Sequence, residues 1–458
     1  MVERSKSAHP YVPNSNPDVK KAMLDFIGVN SIEAFYSDIP KNLRIQGELN
    51  LPDPFLNEQD LVRHVVGILN KNTPQGEMLS FLGAGTYNHF VPAVVDEVIN
   101  RSEFLTAYAG DPYEDHGRFQ ALFEYESLMA ELVNMDVVNV PTYDGMQAGA
   151  TSMAMAGRIT GRNKILVASR INPDKLSKVL NYNEINLEFV FIDEIDGQPD
   201  LVGIEKHLDS SCAAIWVETP NYLGTLCTKI QAISEIAKKN NSLLIVGTDP
   251  IVLGILESPA DQGADIIHGD IQSLGIHCWF GGGHGGFIAV HDDTKFVMEL
   301  PSRLFGMEST SVEGEYGFGD VAYERTSFAL REEGKEWVGT AAALWGIAAG
   351  VYLALMGPEG MVEVGQTIIA RTRYAAKKLG TISGLKVSEP TLQFREFVVD
   401  TTESGKNAKE LIALARNRNA EIGVPISEYE LLVCVTEMNT QRDIDQLFEI
   451  MSEIVRAK

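Results

Sequence analysis

Between about residues 90 and 300, short apolar, β-branched runs alternate with helical runs, and this alternation limits the fold more than any other feature. The runs at 164–168, 187–192, 213–218, 243–248, 266–268 and 286–291 read as strands, and stretches such as 230–240 read as helices between them. Strands that are apolar on successive residues cannot keep one face in water. The pattern therefore predicts an α/β fold with a mostly parallel sheet and helices on both faces.

After residue 300 the order changes. A long helical region at about 335–379 leads to strands near 385–387 and 396–400, a helix at 406–418, a strand at 431–436 and a final helix at 441–455. This is a smaller α+β layer. Residues 1–60, rich in Pro and Asn with one helical run at 17–26, read as an arm that wraps over other structure, because such a segment cannot bury a core alone. An amphipathic helix at 60–70, with Asp60 as candidate cap, opens the large domain. The predicted organisation is an arm at 1–60, a large domain at 61–310, and a long helix with a C-terminal α+β domain at 311–458. A doubly wound domain, a connecting helix and a small α+β cap make the architecture of fold-type I pyridoxal-phosphate (PLP) enzymes, and other α/β enzymes share much of it.

Charge and cysteine usage narrow the function classes. A formal net charge of -25 repels phosphate backbones and anionic headgroups, which argues against nucleic-acid and membrane-surface roles. The four cysteines, Cys212, Cys227, Cys278 and Cys434, form no C-x-x-C pair and no Cys/His cluster of zinc spacing, so no metal site is expected and a reducing compartment is. The first ten residues carry no apolar core of a secretory signal, so the expectation is a cytoplasmic chain. The most apolar stretch, 338–356, contains glycines and a tryptophan and is followed by Gly357-Pro358. It reads as a buried helix rather than a membrane span.

Several segments carry candidate chemistry. The run Val246-Gly247-Thr248-Asp249-Pro250 ends a strand in an acid, and the carboxyl end of a parallel strand faces the crevice where ligands bind. A carboxylate there can hold a protonated pyridine nitrogen; it can equally be a helix-capping or turn aspartate before proline. The run Tyr143-Asp144-Gly145 opens a small-residue helix whose free N–H groups suit a phosphate, and equally suits close packing on a sheet. Ser273 lies 273 − 249 = 24 residues past Asp249, and no lysine occurs between Lys239 and Lys295. In fold-type I enzymes a lysine at about this distance forms an imine with the cofactor aldehyde, and a hydroxyl cannot. The window Trp279–Gly286 holds five glycines, so it is free to approach a cofactor phosphate or a partner chain, or to serve as a tight connection. His277 and His284 flank it as candidate acids or bases. The polar run containing Tyr108 and His116 reads as an active-site or interface loop, or as an exposed one.

Taken together and in order, these segments resemble the first (alpha) subunit of the two-subunit glycine decarboxylase, or P-protein, family over nearly the whole chain. The resemblance rests on 81–92 (FLGAGTYNHFVP), 101–104 (RSEF), 121–125 (ALFEY), Tyr143-Asp144-Gly145, Asp249-Pro250, Gln272-Ser273-Leu274-Gly275 and Arg303. It implies an α2β2 assembly in which a homologous beta subunit carries the lysine and binds PLP covalently. This chain would keep Tyr143, Asp144, Gly145, Asp249 and Ser273 as a vestigial or interface pocket. The assembly would decarboxylate glycine and pass the aminomethyl group to the lipoyl group of a carrier protein, the H-protein. The sequence departs from the family in the loop 109–117, at His277, and in the stretch 330–340. Two alternatives therefore stay open: a paralogous two-chain PLP lyase or decarboxylase with another amino substrate, and a non-catalytic scaffold or regulatory subunit.

Overall fold

Helix starts follow their capping residues. In the computed structural model, which describes residues 11–47, 49–74, 76–105, 116–335, 342–387 and 392–456, two compact units are distinct, Met1–Thr73 and Pro74–Lys458. In the first unit, helix α1 (Pro17–Ile27) begins at Asn16, whose side-chain oxygen accepts the Asp18 and Val19 N–H groups, and ends at Gly28 in the left-handed region. Helix α2 (Glu58–Leu69) starts two residues before the expected position. Asn57 caps it rather than Asp60, accepting the Asp60 N–H at 2.8 Å, and leaves Glu58 and Asp60 in the first turn, where the helix dipole favours acids.

The second unit alternates as the sequence predicts. Its elements are α3 (His116–Val133), β1 (Val137–Val138), α4 (Gly145–Thr160), β2 (Lys164–Val167), α5 (Pro173–Asn183), β3 (Glu188–Phe191), β4 (Cys212–Thr219), α6 (Ile230–Lys239), β5 (Leu243–Thr248), β6 (Ile266–Asp270) and β7 (Gly286–Val290). The strands form one sheet in the order β1-β7-β6-β5-β4-β2-β3. Adjacent strands from β6 to β3 pair in parallel, and β7 alone runs antiparallel to its two neighbours. The chain returns from β6 to β7 through the glycine loop with no crossover α-helix, which reverses its direction.

Alternate residues of each strand feed two cores. Leu166, Ile215, Val217, Leu244, Val246 and Ile267 join one apolar cluster with α3 and α6. Ile165, Val167, Ala214, Trp216, Ile245 and Ile266 join another on the opposite face with α4. This two-sided burial is why the strands read as continuous apolar runs instead of alternating ones.

Helix α7 (Ala343–Leu379) is long and apolar enough to cross a membrane by composition. Its first half instead packs on α3: a Cβ on Gly346 or Gly350 would touch Tyr125 at 3.3–3.4 Å. Gly357, with φ 57° and ψ -175°, breaks the helix just before Pro358. The second half delivers Ala375, Ala376 and Leu379 to a third core, built by the small layer. There β8 (Lys386–Val387), β9 (Glu396–Asp400), β10 (Val424–Pro425) and β11 (Glu430–Cys434) form an antiparallel sheet in the order β8-β9-β11-β10. Helices α8 (Ala408–Arg416) and α9 (Gln441–Arg456) bury Leu411, Ile412, Leu447 and Ile450 against Phe397 and Val399. Residues Leu79–Ser80 pair in parallel with Ala420–Glu421, so the segment that follows, 81–87, is led from the small layer towards the carboxyl ends of the large sheet.

Candidate active-site cavity

A cavity of about 380 Å³ opens where the parallel strands end. Its walls come from the loop Ala84–Tyr87, the start of α4, the start of α5, the ends of β4, β5 and β6, and Glu396 of β9. This is the position at which open α/β sheets bind ligands.

Asp249, Asp144 and Gly145 meet in this cavity, as the sequence reading expected of a shared site. Their hydrogen-bonding groups, however, already have partners within the chain. Asp249 Oδ1 accepts the Ile251 N–H at 2.8 Å, a turn of the kind the sequence left open, and Oδ2 lies 2.7 Å from Arg395 Nη1. Burial works against a charge on Arg395, and the Asp249 carboxylate outweighs it, so the guanidinium is held even more firmly protonated than usual. Arg395 lies over the Tyr87 ring at 4.0 Å, and its Nε and Nη2 make no hydrogen bond with the described residues. Asp144 caps α4 through the Gln147 N–H at 2.6 Å and pairs with Lys178 at 2.7 Å. The Gly145 N–H donates to Asp270 Oδ2 at 2.7 Å. Tyr143 is 54% exposed, and its N–H donates to Gln147 Oε1 at 3.2 Å.

Ser273 is 2% exposed and its hydroxyl makes no hydrogen bond with the described residues. Its neighbour Gln272 staples the 84–87 loop: Oε1 accepts the Tyr87 N–H at 3.0 Å, and Nε2 donates to the carbonyls of Tyr87 and Ile276 at 2.9 Å. His284 lines the cavity, with Nε2 2.9 Å from Thr86 Oγ1 and Nδ1 3.1 Å from Asp270 Oδ2. Burial opposes protonation of His284, but contact with the Asp270 carboxylate prevails and raises its pKa.

The remaining candidates sit elsewhere. His277 pairs with Asp96 at 3.0 Å on the surface, and Arg303 pairs with Asp320 at 2.5 Å. His116 opens α3, with its side chain outside the described residues, as is all of Tyr108. Among the described residues no group of three or more His, Cys, Asp or Glu side chains is arranged to hold a metal ion.

Four contributors escaped the sequence reading. Glu396 accepts the Ala84 N–H at 2.6 Å and the Tyr87 hydroxyl at 3.0 Å, and burial pushes its pKa up to about 6. Lys175, a cavity lysine, is paired with Glu218 at 2.6 Å. Arg395 and Asp270 complete the set. Their partners are 395 − 249 = 146 and 270 − 145 = 125 residues away, and no local pattern marks such pairs.

The model of the glycine cleavage system P-protein family matches residues 9–451. The chain belongs to the glycine cleavage system P-protein family. Probable glycine dehydrogenase (decarboxylating) subunit 1 of Saccharolobus islandicus is 36% identical over 456 residues, covering 98% of each chain. The protein of the same description from Chlorobium phaeobacteroides is 33% identical, over 97% of this chain and all of its own. A crystal structure of glycine decarboxylase (P-protein) of the glycine cleavage system superposes with a TM-score of 0.84 at 30% identity, over 98% of this chain and 100% of that one. Cysteine desulfurase from Thermococcus onnurineus, at 15% identity and a TM-score of 0.62, covers 83% of this chain and 95% of its own, and shares the fold alone. The chain thus has the fold-type I architecture of PLP-dependent enzymes, and its relatives are named as one subunit of a larger enzyme.

Proposed function

We propose that this chain is the lysine-free subunit of a two-chain glycine decarboxylase, and that a homologous chain supplies the lysine and holds PLP. In this reading the two chains form a cytoplasmic α2β2 assembly that decarboxylates glycine and passes the aminomethyl group to a lipoyl carrier protein. The observation that carries it is Ser273, a hydroxyl 24 residues past Asp249 in a stretch with no lysine from residue 240 to 294. The remaining groups that a fold-type I cavity would offer the cofactor do not fit it here. Asp249, which would face the pyridine nitrogen, is neutralised by Arg395, and the N–H of Gly145 is taken by a carboxylate. Lys175, the cavity amine, is committed to Glu218.

This chain's own part is then to complete the assembly and to shape its own side of the interface. The test is reconstitution. Glycine-dependent release of carbon dioxide, with the lipoyl carrier as acceptor, is expected from the two chains together and from neither alone. Turnover of glycine by this chain in isolation would refute the reading. A panel of other amino acids, run on the same complex, is expected to leave glycine as the best substrate.

A further inference from the structure

The start of helix α4 lines the cavity and offers backbone donors that would suit a phosphate, and it already holds an anion. Helix α4 spans 16 residues, so its amino end carries a substantial positive dipole. Asp270 projects into it from the end of β6. One carboxylate oxygen, Oδ2, accepts the Gly145 N–H at 2.7 Å and lies 3.1 Å from His284 Nδ1. The other, Oδ1, accepts the Gln272 N–H at 2.9 Å. Two residues on, the Gln147 N–H is taken by Asp144 at 2.6 Å.

The backbone is built for this contact. A Cβ on residue 145 would lie 2.8 Å from Asp270 Cβ and 3.1 Å from its backbone nitrogen, so only glycine there lets β6 bring its aspartate this close. On the other side, a Cβ on Gly286 would lie 2.1 Å from Thr142 Oγ1 and 2.2 Å from the Asp144 carbonyl oxygen, so β7 holds the same turn from behind. A second anion placed in this seat would meet the carboxylates of Asp144 and Asp270 at short range, in a part-buried setting where charge repulsion is poorly screened.

We propose that Asp270 is a built-in occupant of the anion seat, so that this chain excludes phosphate-bearing ligands actively as well as lacking a lysine to retain them. The carboxylate does for helix α4 what a cofactor phosphate would do, with His284 Nδ1 3.1 Å from it. Asp270 is thereby the specificity-determining residue of the cavity. The inference deepens the lysine-free reading above and fails separately from it: a phosphate seat in the wild-type chain would sink the plug and leave decarboxylation by the two-chain assembly untouched.

The experiment compares pyridoxal with pyridoxal phosphate, titrated by absorbance and protein fluorescence into the full-length chain, with inorganic phosphate as competitor. The variants are Ser273→Lys, Asp270→Ala and the double substitution. Wild type and Ser273→Lys are expected to show no preference for the phosphorylated aldehyde and no competition by phosphate. Asp270→Ala with Ser273→Lys is expected to prefer it by about tenfold or more, with phosphate competing. Wild-type protein that prefers the phosphorylated form, or a folded Asp270→Ala double variant with no preference, would overturn the proposal. Should the alanine variant fail to fold, Asp270→Asn, which keeps the side chain's shape and removes its charge, carries the same comparison and the same two outcomes.

Discussion

Glu396 sits where its charge is costly. Burial raises its pKa from 4.5 to about 6, against the stabilising effects of the Ala84 N–H, Arg395 and the Tyr87 hydroxyl. A carboxyl whose pKa is higher in the folded chain binds its proton more tightly there. Its contribution therefore falls as the pH rises from about 4.5 through about 6, by on the order of 2 kcal/mol. Glu437 behaves in the opposite way. Burial alone would raise its pKa, but His89 at 2.7 Å and the Phe90 N–H at 2.7 Å hold it at about 2. Its contribution is present above about 4.5 and lost as the pH falls towards about 2. Denaturant midpoints measured across this range are expected to decline on the alkaline side of about 4.5 in wild type and to lose that decline in Glu396→Gln. Parallel curves for the two proteins would show that Glu396 titrates normally. At this scale the sequence revealed one member of each pair. Asp249 was legible because it ends a strand before a proline, and Gly145 because it opens a small-residue helix. Arg395 and Asp270 were not, because what assigns them is tertiary approach, and their own surroundings in the chain carry no mark of it.

The elements were more legible than their contacts. Apolar runs located six of the seven strands of the large sheet, all but the two-residue β1, because both of its faces are buried. The reversal of β7 was hidden, since direction depends on how a loop returns and both directions bury the same residues. The misplaced start of α2 has a similar cause: Asn57 and Asp60 are both good caps, and which one serves depends on the backbone angles of the residue itself. Capping can be tested where it is most complete. At the start of α8, Asn407 Oδ1 accepts the Glu410 N–H and Glu410 Oε2 accepts the Asn407 N–H, both at 2.9 Å. Asn407→Ala is expected to cost about 1 kcal/mol in chemical denaturation. Glu410→Ala, which breaks one of the two bonds, is expected to cost less. Equal, negligible losses would mean that the small layer's packing holds α8 without its cap.

Across the whole molecule, the large sheet and the small layer have separate apolar cores, and the cavity lies where side chains from both converge. Glu396 and Arg395, from the small layer, close it by hydrogen bonds and an ion pair to residues of the other part. The cavity's shape therefore depends on the small layer staying docked. Arg395→Ala would leave Asp249 facing the cavity without its cation, and is expected to cost about 3–5 kcal/mol, the range for breaking a buried pair from one side. Asp249→Asn keeps a hydrogen-bonding group opposite Arg395 and is expected to cost less. In the proposed assembly the cofactor is bonded to the other chain, because Ser273 stands where a lysine would be needed. Borohydride reduction of the active two-chain complex, followed by intact-mass analysis of each subunit, tests it most directly. A pyridoxyl-phosphate mass is expected on the lysine-bearing partner, and an unmodified mass on this chain. A stoichiometric adduct on Lys175, or on any other amine of this chain, would contradict it.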